Sequence, residues 1–257
     1  MIPTIPWYIT TVVLAADAAV AYAVWRVFAS AAGRSGLPAP TVRRVRTGIA
    51  LFIGVWLGAA LVLAPAPASV LHRDPFRITL LVPLFALASF AGILIALRLS
   101  PALRQVFAAV SLPAIHGVQL YRVMGFTFLL LLALGQVPAH FALPAGWGDI
   151  LVGLTAPLIG LALARRAAGA VPLAIAWNVF GLMDLIVAAG MATGLLVPYL
   201  APELGSRVPA AAAMGVFPMI LVPVFAVPIA MVLHVLALGR LFREVRLDSP
   251  VVVGHAR

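Results

Sequence analysis

The chain has 257 residues, 64% hydrophobic and 9% charged, with a mean hydropathy of +1.16, whereas a soluble domain carries about a quarter charged residues. The net charge of +10 comes wholly from arginine, because there is no lysine. Without lysine there is no Schiff base and hence no retinal-type photoreceptor; without cysteine there is no disulfide, thiolate metal site or thiol nucleophile.

Apolar runs near 20 residues long predict an all-α polytopic membrane protein with seven transmembrane helices, at about 5–28, 47–65, 76–98, 113–135, 147–165, 171–195 and 214–239. Strands of about ten alternating residues, the mark of a membrane barrel, are absent from the pattern. Nowhere is there room for a separate soluble domain, so residues 1–257 form one transmembrane unit. The N-terminal "MIPTIPWYITTVV" lacks a positive n-region, which predicts a retained first span. Span one places Thr10 and Asp17 on one face. Span two carries Gly54 and Gly58, a small-xxx-small face for a contact within the bundle or for a homodimer seam. After span three, "SPALRQVFAAVSLP" predicts a short interfacial helix capped by Ser100, with Pro101 in its first turn. Span four runs through "HGVQLYRVMGFTFLLLLALG" and holds an arginine, Arg122, with Gln119 and Tyr121 beside it. Span five opens on "GWGD", where Asp149 reads as a helix-terminal acid favoured by the helix dipole, or as an outer vestibule carboxylate. Span six places Trp177, Gly181 and Asp184 on one face and Asn178 in a neighbouring sector. Span seven carries Pro218, Pro223 and Pro228, which predict kinks.

Arginine placement predicts orientation. Thirteen arginines fall on one side (26, 34, 43, 44, 46, 98, 104, 165, 166, 240, 243, 246 and 257) and three, Arg73, Arg77 and Arg207, on the other. That bias puts the N-terminus outside and the C-terminus inside. It also assigns the positive charge to loops facing anionic lipid, with the bilayer and no nucleic acid as partner.

At about 1.5 Å per residue, Arg122 lies roughly 13 Å from the inner edge of its span, Asp17 roughly 16 Å and Asp184 roughly 20 Å. All three fall near the middle of a hydrocarbon layer about 30 Å thick, where an unpaired charge costs several kcal/mol. Pairing is therefore expected between Arg122 and one or both aspartates, with Asp17 the better match in height. Gln119 and Arg122, three apart, share a face with His116. His116 and His234 sit at one depth, roughly 4–8 Å below the inner surface. Two histidines so placed could be axial ligands of a haem b or two ligands of a metal ion, or could be ordinary hydrogen-bonding groups. His72 and His140 fall in outer loops and His255 in the tail.

The segments "QLYRVMGFTFL", "FALPAGWGDILVGLTAP" and "VPVFAVPIAMVLHVLALGRL" together resemble a family of uncharacterised bacterial multispanning integral membrane proteins. The resemblance runs from span four to the C-terminus. It implies a bacterial cytoplasmic (inner) membrane location and draws attention to Arg122, Asp149 and His234, but carries no activity. No phosphate-binding glycine loop, HExxH, GxSxG or two-carboxylate motif is present. The readings that follow are a small-solute or proton-coupled transporter using Arg122, Asp17 and Asp184, a haem-binding electron carrier using His116 and His234, and a sensor or assembly factor with structural ion pairs.

Overall fold

The computed structural model describes residues 5–63, 75–202 and 211–248, all of them helical or in connecting turns. The histidines at 72 and 255, the arginines at 73, 207 and 257, and the end of expected span two lie outside the described residues. Six helices are long and apolar enough to cross a membrane, or seven if the bent pair α3–α4 counts as one span.

The long helices are α1 (Trp7–Arg34), α2 (Ala39–Leu63), α3 (Pro75–Leu99), α7 (Ala139–Ala164), α8 (Ala170–Ala192) and α10 (Val227–Asp248). Expected span four is broken into α5 (Leu112–Val118), a 3₁₀ segment (Gln119–Gly125) and α6 (Phe126–Ala133). Two short helices, α4 (Pro101–Ala109) and α9 (Val197–Leu200), complete the set. The chain bends by 104° between α3 and α4. At that bend the Ser100 side chain accepts from the Leu103 N–H and Pro101 occupies the first turn, the N-terminal chemistry the sequence predicts.

The broken span and the last one are the inner members of the bundle. They are 56% and 61% buried, against 33% or less for the other four. The outer helices present leucines to the surroundings. Leu151, Leu154, Leu158 and Leu161 of α7 are all exposed at helical spacing, which suits a face turned to lipid tails.

The opposite face of α7 carries Gly146, Gly153 and Gly160, seven residues apart. A side chain at Gly146 would strike Leu129 of α6, and one at Gly153 would lie 2.5 Å from the Val123 backbone nitrogen. At Gly160 it would lie 3.0 Å from the Pro113 carbonyl of α5. Absent side chains thus let α7 lie directly on the whole length of the broken span. Gly54 and Gly58 of α2 do not work in this way: no described residue comes within 4 Å of where their Cβ atoms would stand. Among the described residues the expected close bundle contact at these two glycines is not made.

Residues 222–226 form one turn of π-helix leading into α10. Pro228 has no N–H to donate to the Val224 carbonyl four residues earlier. Trp56 of α2 donates its indole N–H to that carbonyl instead, at 3.0 Å. Inserted prolines and an altered ladder are known causes of helix irregularity. Here neighbouring side chains re-satisfy the backbone, as lipid surroundings require.

Candidate functional site

Arg122 sits in the 3₁₀ segment, where residues three apart line up along one edge. Gln119, Arg122 and Gly125 are all buried there. Gln119 donates to the Ala230 carbonyl of α10 at 3.2 Å, and the Tyr121 hydroxyl donates to the Ala226 carbonyl at 2.7 Å. These two bonds tie the 3₁₀ segment to the π-turn and α10.

The Arg122 side chain is 2% exposed and carries two carboxylates. Its Nε donates to Asp149 Oδ1 at 2.6 Å, and Nη2 donates to Asp184 Oδ2. Nη1 donates to the Gly181 carbonyl at 3.3 Å and to His234 Nε2 at 3.1 Å. The guanidinium fork therefore joins α7, α8 and α10 in one contact set, which a point charge such as ammonium could not do. Three glycines make the room. A Cβ at Gly125 would collide with Asp149, one at Gly148 with Asp184, and one at Gly181 with the His234 ring.

From Arg122 the hydrogen bonds continue along one direction. Asn178 Nδ2 donates to the Ala174 carbonyl at 2.7 Å, which fixes the orientation of its amide. The same nitrogen donates to His116 Nε2 at 2.9 Å, so that ring nitrogen is an acceptor. His116 Nδ1 then carries the hydrogen and donates to the Leu112 carbonyl at 2.7 Å. Asn178 Oδ1 accepts from His234 Nδ1 at 2.9 Å, which leaves His234 Nε2 to accept from Arg122. Both imidazoles are thereby assigned as neutral Nδ1–H tautomers. The chain reads Arg122, His234, Asn178, His116, Leu112, each group donating to the next. The Trp177 ring packs against both imidazoles, with centroids 5.2 Å from each. Its N–H is held by Thr155 of α7 at 2.8 Å.

This geometry corrects several expectations. Asp149 does not begin a helix. It stands ten residues inside α7, which starts at Ala139 and runs through Pro144. It caps nothing and is instead a partner of Arg122. Asp184 is the second partner, as depth arithmetic allowed. Asp17, the better match in height, is not a partner. Its carboxyl is buried, and neither oxygen has a hydrogen-bond partner among the described residues. Asn178, expected in a sector beside the Trp177, Gly181 and Asp184 face, lies between the two histidines.

The haem reading also meets an obstacle. Axial or metal ligation by His116 and His234 requires a free ring nitrogen on each, and all four ring nitrogens are engaged within the protein. Asn178 fills the space between the rings, so the pair does not fit a haem or a shared metal ion. Among the described residues no group of three or more His, Cys, Asp or Glu is placed to hold a metal.

Beside Arg122 and Asp149 there is a cavity of about 10 Å³, bordered by Tyr121, Leu185 and Val222. That is close to the smallest volume that holds one water.

A family described as a domain of unknown function, DUF8737, matches residues 75–242. No curated protein and no solved structure matches the chain.

Proposed function

The chain belongs to the DUF8737 family, whose function is unknown, and we propose from its geometry that this multi-pass helical membrane protein is a proton-coupled small transporter. One observation supports the reading above the others. A single buried guanidinium is shared by two carboxylates, Asp149 and Asp184, so with both ionised the cluster carries one excess negative charge in a water-poor site. Taking up one proton neutralises it. Intramembrane carboxylates of this kind mark proton relays. Asp17, buried with no hydrogen-bond partner among the described residues, is a second group able to carry a proton. The irregular segments around Arg122, the 3₁₀ turn and the π-turn, are the elements that would rearrange to admit a solute, because the cavity of about 10 Å³ holds none.

The expected setting is the cytoplasmic membrane of a bacterium, N-terminus outside and C-terminus inside. Because the chain has no native cysteine, single cysteines at Ala167 and Leu195 report topology directly. An impermeant thiol reagent added outside should label Leu195→Cys and spare Ala167→Cys.

The test of function is proton flux into vesicles containing the purified protein and an internal pH dye, driven by an imposed potential. Wild type should carry flux above protein-free vesicles, and Asp184→Asn and Asp149→Asn should reduce it at least tenfold. No flux in wild type sinks the proposal. The saturated hydrogen bonding from Arg122 to Leu112 favours a second reading, an assembly factor or sensor whose charges are structural. That reading predicts no flux in wild type, with the same variants acting on stability alone.

A further inference from the structure

A second and much larger cavity, about 480 Å³, lies between α1, α2, α3, α4 and α10, away from the arginine site. Its α2 wall follows one helical face, Thr41, Arg44, Gly48, Phe52 and Trp56, with Val45, Ile49 and Ile53 between them. The face is polar only at its N-terminal end. From Arg44 to Trp56 is 12 residues, about 18 Å along a helix, close to the half-thickness of a bilayer core about 30 Å deep. The remaining walls are apolar, formed by residues such as Phe28 of α1, Leu97 of α3, Phe107 of α4 and Leu233 of α10.

Protein interiors are close-packed, and an apolar void of this size is poorly suited to water. Its volume falls in the usual range of ligand sites, about 300–1,000 Å³. The shape and polarity match an amphiphile with its head at Arg44 and its tail toward Trp56. Arg44 is exposed and has no hydrogen-bond or ion-pair partner among the described residues. Arg46, two positions on, is by contrast spent on the Ala29 carbonyl at 2.9 Å. Arg104 of α4 is spent on the Arg98 carbonyl.

We propose that this cavity is a binding site for one acyl chain of an anionic phospholipid, with the phosphate at the Arg44 guanidinium. The observations behind it are the matched length, the polar-to-apolar gradient along α2 and the uncommitted positive charge at the polar end. The site does not depend on the transport reading.

Native mass spectrometry of the full chain in mild detergent, titrated with phosphatidylglycerol or phosphatidylcholine, tests this. Wild type should retain one phosphatidylglycerol per chain in preference to phosphatidylcholine. Arg44→Gln should weaken phosphatidylglycerol about fivefold, the share of one arginine near a lipid surface, and abolish the preference. Gly48→Phe should block both lipids, since a Cβ there meets open space and the ring enters the cavity. Arg44 is a surface residue, so its variant carries the test even where Gly48→Phe does not fold. Equal retention of both lipids by wild type, or a headgroup preference untouched by Arg44→Gln, overturns the proposal. So does lipid binding that appears only after removal of residues 249–257, which would identify the tail as the occupant.

Discussion

Replacing Arg122 with glutamine removes the one cation from a site holding two carboxylates. The amide can still reach a single neighbour, but it cannot reproduce the fork that joins Asp149, Asp184, Gly181 and His234. Breaking a buried ion pair by removing one partner costs about 3–5 kcal/mol, because the other charge is left uncompensated. At about 2–4 °C per kcal/mol for a domain near this size, Arg122→Gln should lower the melting temperature by about 6–20 °C. Asp184→Asn keeps an acceptor oxygen facing Nη2, and should cost about 1–2 kcal/mol. In the double variant one of the two orphaned carboxylates is itself gone and only Asp149 remains, so the combined loss should fall short of the sum by about 1–3 kcal/mol. Intrinsic tryptophan fluorescence during heating in detergent provides the assay, with Trp177 packed on both imidazoles as a local reporter. A shift under about 2 °C for Arg122→Gln, or strict additivity in the double variant, would refute the argument that the cluster is electrostatically coupled.

Three further outcomes follow from the same packing. Gly181→Ala drives a methyl group into the His234 ring and to 3.3 Å from Arg122 Nη1, and should cost about 1–3 kcal/mol by overpacking; Gly117→Ala, where nothing lies within 4 Å, should be neutral or stabilising by up to about 1 kcal/mol in the same melting assay. Asn178→Leu strands His234 Nδ1–H and His116 Nε2 without partners, at about 1–3 kcal/mol each; Leu112 and Arg122 still hold both rings as Nδ1–H tautomers, so imidazole nitrogen NMR should show the His234 Nδ1 and His116 Nε2 signals shift with no change of tautomer. Trp56→Phe removes the donor to the Val224 carbonyl and should cost about 1–3 kcal/mol; with Pro228→Ala in place, a backbone N–H is available to that carbonyl, and thermal melting should register a smaller loss from Trp56→Phe in that background.

The arginine site was partly legible from the sequence. Arg122 stood out because guanidinium is expensive in hydrocarbon, and depth counting along regular helices brought Asp184 within reach. Asp149 was misplaced for a local reason. "GQVPAHFALPAGWGD" is rich in proline and glycine, the usual marks of a loop, so span five was expected to begin near 147. In the folded chain those glycines serve close packing, and α7 accepts Pro144 in its interior, which carries Asp149 into the bundle. The spacing of Gly146, Gly153 and Gly160 at seven residues was the signal that could have revealed this. His116 and His234 stand one residue apart in the hydrogen-bonded chain, a neighbourhood that counting along the spans suggests. The asparagine between them was invisible to such counting, because helical angle alone does not say which neighbouring helix fills a sector.

What the sequence determined by itself was the solvent and the currency of the fold. Apolar runs of about 20 residues leave only a helical membrane bundle, and charges within them must find partners. Which partners was decided by tertiary structure alone. A 3₁₀ segment aligned Gln119 with Arg122, glycines on three helices opened the space for Asp149, Asp184 and His234, and a π-turn brought Ala226 to Tyr121. Each of these depends on how helix faces rotate and how closely they approach, and depth along a single helix carries neither quantity.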